Sequence, residues 1–125
     1  MHIIIDGYNL MHCMKLKGES FKQQREYLIY LLQQFLAINE GNITVVFDGH
    51  KNISEHKSIE KHGKVKVIYS AKNQSADDVI IEMLMKGKEK VKNIILITSD
   101  RKLINFASAK KIKIMSSLNF AEYFE

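Results

Sequence analysis

The sequence predicts one α/β domain over residues 1–125, with helices packed on both faces of a central parallel sheet of about five strands. Three observations predict it. Short apolar runs rich in isoleucine and valine alternate with longer segments of helical period, the pattern of βαβ units. No proline, internal repeat or linker interrupts that alternation. Aspartate, finally, is found only just beyond predicted strands.

The elements follow in order. His2–Ile5, Ile43–Phe47 and Ile94–Thr98 are almost wholly apolar, as strands covered on both faces must be. Val65–Tyr69 is interleaved with lysine and is therefore expected at an edge of the sheet; Ile112–Met115 is the last strand. From Ser20 to about Asn39, a broad stripe of Tyr27, Leu28, Leu31, Leu32, Phe35 and Leu36 predicts an amphipathic helix. Ser75 is placed to cap a helix running to about Lys86, with Val79, Ile80, Met83 and Leu84 inward. Arg101 to Ala109 forms a third helix on Leu103, Ile104 and Ala107, and Ser117 is placed to cap a short one through Phe124. Asn52–His62 is charged and poorly periodic, so it reads as loop or loose helix.

Hydrophobic residues at 46% and charged residues at 26% fit a packed core and argue against disorder. No apolar run approaches the roughly 18 residues of a membrane span, and the short Met1–Ile5 run is broken by Asp6, unlike a secretory signal. A lone cysteine, Cys13, excludes a disulfide framework and a cysteine-rich zinc site. These features make the cytoplasm the expected location, without membrane association. The net charge of +5 suits a polyanionic partner, although solubility alone accounts for it equally well. Only Arg25 and Arg101 among the 19 basic residues are arginine, a bias toward backbone phosphate contact over base reading.

The 14 acidic residues divide into nine glutamates, mostly in helical or surface-like stretches, and five aspartates. Asp6, Asp48 and Asp100 each end an apolar run, while Asp77 and Asp78 stand beyond the third strand. In a parallel sheet these positions share the carboxyl edge, where ligands bind in open α/β folds. Carboxylates gathered there raise one another's pKa unless a cation neutralises them, and magnesium or manganese suits an all-oxygen set. An aspartate after a strand also serves as a helix cap or turn former, and Asp-Gly at Asp6 and Asp48 offers a plain turn. Ser75-Ala76-Asp77-Asp78 has the form of a capping box, which occupies Asp78 and leaves Asp77 the freer. Capping explains poorly why four separate strand ends all use aspartate.

Asp6-Gly7-Tyr8-Asn9-Leu10, then Phe47-Asp48-Gly49, then Tyr69-Ser70 leading to Ser75-Ala76-Asp77-Asp78-Val79-Ile80, then Thr98-Ser99-Asp100, together resemble the NYN domain. More narrowly the chain is similar to the YacP-like branch of that PIN-like nuclease group. The resemblance implies a PIN-like three-layer sandwich and metal-dependent endonucleolytic cleavage of RNA. It implies Asp6, Asp77 and Asp100 as the main metal-site carboxylates, Asp48 as a further acidic member, and Asn9 as a hydrogen-bonding residue that holds the first loop. Thr98 and Ser99 are the implied supporting hydroxyls. The implied cofactor is Mg2+ or Mn2+, and the implied partner is single-stranded RNA. Ribosome association is implied by the resemblance alone, and this chain is shorter than usual for that branch.

An acidic cluster repels RNA, so lysines must supply attraction around it. Lys51, Lys57, Lys61, Lys64 and Lys72 on the loop side, with Lys15 and Lys17 after the first motif, are the candidates. Tyr8 and His12 offer rings for an unpaired base, or else serve as a packed core edge and a loop residue. Lys86, Lys88, Lys90 and Lys92 read as a solvated helix end. His50, His56 and His62 read as surface residues, and Met11, Met14, Met83 and Met85 as core gap fillers. The rival reading of the chain is an RNA-binding or partner-binding module with little or no cleavage. A phosphotransfer receiver would need an acidic pair where only Asp6 stands. Monomer and homodimer both fit, with the third strand and the last helix as possible contacts.

Overall fold

In the computed structural model, which describes residues 1–49 and 57–124, the apolar runs become the inner strands of a six-stranded sheet. In chain order the elements are β1 (His2–Asp6), α1 (Gly7–Met11), α2 (Phe21–Ile38), β2 (Asn42–Phe47), β3 (Ser58–His62) and β4 (Val65–Tyr69). There follow α3 (Ala76–Lys86), β5 (Ile94–Ile97), α4 (Arg101–Ala109), β6 (Lys113–Met115) and α5 (Ser117–Ala121), with short 3-10 turns at Val91–Asn93 and Glu122–Phe124. The strand order is β3-β4-β2-β1-β5-β6, and every neighbouring pair is parallel except the antiparallel β3–β4.

Alternate residues of the sheet feed two cores. Ile3, Ile5, Val45, Phe47 and Val67 pack beneath Leu28, Leu32 and Leu36 of α2, with Leu10 and Phe120 closing that layer. Ile4, Val46, Ile68 and Leu96 face Val79 and Ile80 of α3 and Leu103 and Ala107 of α4. The result is a three-layer α/β/α sandwich, in which β1 is buried along its whole length because both faces are covered. No helix among the described residues is long and apolar enough to cross a membrane.

Several expectations are corrected. Val65–Tyr69 is not an edge: its exposed Lys66 pairs in register with Lys61 of β3, which takes the outer position. Ser58–His62 is that strand and not a loop, whereas residues 50–56 lie outside the described part. The last helix is capped by Ser116, whose hydroxyl accepts from the Asn119 amide, and not by Ser117. Met85 is 63% exposed and fills no core gap, while Met11 is buried and Met14 and Met83 pack against the cores.

The chain leaves β1 toward β2 through α2 on one face and later returns to the other side of β1 as β5, with α3 and α4 on the opposite face. The connection reverses direction between β1 and β5, which opens a crevice beyond their carboxyl ends. Asp6 and the segment from Thr98 to Asp100 stand there.

Candidate active site

The glycines after the first two strand-end aspartates are required by close approach. A Cβ on Gly7 would lie 2.5 Å from the Phe47 ring, and one on Gly49 would lie 2.2 Å from the Ser70 carbonyl oxygen. Neither residue has a positive φ, so each Asp-Gly marks tight packing of the edge and not the plain turn the dipeptide also allows. Buried Ser70 fixes the second of them by accepting the Gly49 amide at 2.8 Å.

Asp6 precedes α1 but makes no side-chain cap bond. Its carboxylate, 8% exposed, instead accepts from the Thr98 hydroxyl at 3.1 Å. Burial pushes its pKa up to about 6; the Thr98 bond opposes this, and the nearby charges of Asp77, Asp100 and Asp48 add to it. The four carboxylates come from four separate segments, after β1, after β2, at the start of α3 and after β5. Asp77, half-buried, is likewise held above its usual range, chiefly by burial and then by Asp100, while Lys102 of α4 pulls the other way.

Of the other three aspartates, Asp78 and Asp100 cap helices. Asp78 forms the capping box anticipated from Ser75: its amide donates to Ser75 Oγ and its carboxylate accepts from the Ser75 amide, each at 3.1 Å. Those bonds hold its pKa below the usual value and turn it out to solvent. Asp100 caps α4 through Oδ1, which accepts from Leu103 at 3.0 Å, yet its charge is still felt by Asp6 and Asp77.

Asn9 joins three segments. Its Oδ1 accepts from the Ser99 amide at 2.8 Å and from the Ser117 hydroxyl at 2.6 Å, and Ser99 Oγ in turn accepts from the Ser117 amide at 3.2 Å. Thr98 is equally committed, since its hydroxyl also accepts from the Asp100 amide at 3.0 Å. Ser99 and Thr98 therefore brace the edge from within it.

A cleft of about 800 Å³ opens over this edge. Asp6, Tyr8, Asn9, His12, Asp48 and Asp77 line it, so six of the residues singled out from sequence converge on one space. Asp100, Ser99 and the exposed Lys15 and Lys72 are not among its lining residues. Lys51 is outside the described residues. Lys57 is engaged with Glu82 at 3.2 Å. The sequence reading missed Arg25, Phe21, Tyr69 and Ser58 in the same lining, as well as the influence of Lys102. The available signal for Phe21 and Arg25 was their spacing of four, which extends the apolar stripe of α2 toward its first turn.

The donor set is all carboxylate, the chemistry of a hard divalent ion, and burial is the first cause of the raised pKa of Asp6, with the neighbouring aspartates adding to it. Among the described residues, no three His, Cys, Asp or Glu side chains are arranged to hold an ion as they stand.

Comparison with known proteins identifies the family. A family model, the YacP-like NYN domain, matches residues 3–125. The Bacillus subtilis (strain 168) protein named Uncharacterized protein YacP is 28% identical over 102 residues, covering 78% of this chain. That match takes in 59% of the relative, so the chain spans less than two thirds of its length. Two crystal structures of Rae1 (YacP) from Bacillus subtilis, one of a point mutant, superpose with a TM-score of 0.76 over 98% of this chain. They cover 75% and 74% of those chains at 23% and 24% identity, a likeness of fold. The chain belongs to the YacP-like NYN domain family.

Proposed function

We propose that this protein is a metal-dependent endoribonuclease that hydrolyses phosphodiester bonds of single-stranded RNA at its aspartate edge. One observation carries the reading: a buried carboxylate, Asp6, faces three further aspartates from separate segments, and no lysine or arginine of the described residues pairs with it. Such an arrangement destabilises the fold, and groups of this kind concentrate at functional sites. Asp6, Asp77 and Asp100 would hold Mg2+ or Mn2+, with Asp48 as an outer member. Bound there, the ion would supply an activated water and stabilise the leaving oxygen. Thr98 keeps the Asp6 carboxylate oriented through its hydroxyl. Asn9 ties α1 to the segment after β5, which restrains the separation of Asp6 and Asp100.

The test is incubation of the purified protein with single-stranded RNA and manganese or magnesium, beside Asp6→Asn and Asp100→Asn. Cleavage by the wild type alone, abolished by chelation, is the expected result. If all three proteins shift the RNA on a gel and leave it equally intact, the protein is a binding module.

A further inference from the structure

The lining of the cleft that holds Asp6, Asp48 and Asp77 also includes Tyr8, Phe21, Arg25 and Tyr69, packed on buried Phe47. Phe47 and Tyr69 stack at 5.6 Å, Tyr8 leans on Phe47 at 5.0 Å, and Phe21 meets Tyr8 edge-on at 6.1 Å. Arg25 lies across this series, its guanidinium carbon 6.0 Å from the Phe47 ring centre and 5.7 Å from that of Tyr69. Nη1 donates to the Tyr8 hydroxyl at 3.1 Å.

The position of Arg25 follows from the helix. Phe21, Arg25, Leu28, Leu32 and Leu36 form one stripe at spacings of three and four. The leucines are buried over the sheet, whereas the first turn lies beside the carboxyl edge, where the cleft opens. A stripe that is aliphatic over the sheet thus ends in an aromatic and a guanidinium over the opening. Phe21 is 60% exposed there.

A guanidinium carries five N–H donors. The Tyr8 hydroxyl takes one and the Tyr69 hydroxyl lies in reach of another, and Arg25 forms an ion pair with no described carboxylate, although Asp6 and Asp77 line the same cleft. Its place over two rings and its bond to the Tyr8 hydroxyl restrain its orientation, which lowers the entropy lost when an anion binds. An oriented cation with spare donors, an exposed ring one helical turn away, and a cleft that continues to the carboxylates match the parts of one nucleotide: phosphate, base, and the chain leading onward.

We infer that Phe21 and Arg25 form a nucleotide subsite beside the aspartate edge, Arg25 clamping a phosphate of single-stranded RNA and Phe21 stacking the attached base. The subsite rests on the nuclease reading for its substrate class. It selects unpaired RNA, because a base held in a duplex stack cannot lie on Phe21. It also directs the strand: a phosphate fixed at Arg25 sets which neighbouring bond reaches Asp6 and Asp77.

The experiment measures binding of end-labelled single-stranded RNA by fluorescence anisotropy in chelator, where cleavage is excluded. The proteins are wild type, Arg25→Lys, Arg25→Met and Phe21→Ala, with thermal melts recorded for each. Phe21→Ala removes an exposed side chain and serves as the variant that keeps the fold. Arg25→Met is expected to weaken binding at least about tenfold and to reduce the salt slope by about 1, the loss of one phosphate contact. Arg25→Lys should recover part of the slope and less of the affinity. Phe21→Ala should weaken binding by about fivefold or more at unchanged salt slope, and should bind an RNA with an abasic site as well as the wild type does. Folded variants that bind like wild type would overturn the subsite. Wild-type cleavage with manganese is read separately: cleavage with variant-independent binding retains the nuclease and removes the subsite, and variant-dependent binding without cleavage does the reverse.

Discussion

The two ends of β1 each bury a titratable side chain, and they are treated in opposite ways. At the amino end, His2 is enclosed by complementary partners: Nε2 meets the Thr44 hydroxyl at 2.7 Å and Nδ1 donates to the Glu89 carboxylate. At the carboxyl end, four residues on, Asp6 meets one hydroxyl and three further negative charges. A fold selected only for stability would surround both groups as it surrounds His2. The difference identifies which end is a fastening and which is a site, because electrostatic cost persists where a ligand can relieve it.

Substitutions at the two ends should therefore separate activity from stability. The largest effect is expected for Asp6→Asn and Asp100→Asn, which should lower RNA cleavage by at least about a thousandfold, or about 4 kcal/mol of transition-state stabilisation. Retained cleavage in either variant would remove the aspartate edge from the chemistry. The same Asp6→Asn change should stabilise the metal-free protein at neutral pH. A folded pKa of about 6 against an ordinary 3.8 means that the native state binds the proton more tightly. The wild type therefore loses stability as pH rises from about 4 to 6, by up to about 3 kcal/mol, and the loss is complete above that window. Thermal melts of both proteins at pH 4 and 7 test this: the advantage of Asp6→Asn should appear only at the higher pH.

His2→Ala should do the reverse, destabilising by about 1–3 kcal/mol as buried Thr44 loses its partner, while leaving cleavage by the folded protein intact. An activity loss there as large as that of Asp6→Asn would erase the distinction between the two ends. Asn9→Ala is intermediate, since it touches no reacting atom but releases Ser99 and Ser117 together. It should cost about 1–2 kcal/mol in a melt and roughly tenfold in cleavage. Manganese should stabilise the wild type by about 2.7 kcal/mol at a hundredfold excess over Kd, read as a raised melting temperature, and should do so far less in Asp6→Asn.

The inner strands were legible because burial on both faces leaves a continuous apolar signature, as in Ile3-Ile4-Ile5 and Ile94–Ile97. β3 was not, since Ser58–His62 is mostly exposed and charged, and its pairing with β4 is written in the backbone more than in side chains. Missing β3 also misplaced Val65–Tyr69 at the edge. α1 is five residues long, too short to show a period. Among site residues, the aspartates stood out because a strand terminus followed by a short acidic residue is a local pattern, and the capping box told Asp78 from Asp77 for the same reason. Arg25 carried no such mark. Its role depends on where the first turn of α2 falls relative to Phe47 and Tyr69, which sequence spacing within one helix does not specify.

The bond between Asn9 and Ser117 joins positions 108 residues apart. Chain synthesis runs from the amino end, so early segments of the domain exist before their late partners are made. Asp6 and Asp48 are thus present in a nascent chain long before Ser117 arrives to fasten the loop beside them. The edge matures late, and a protein arrested short of α5 would carry all the aspartates of the site without the Ser117 bonds that brace Asn9 and Ser99.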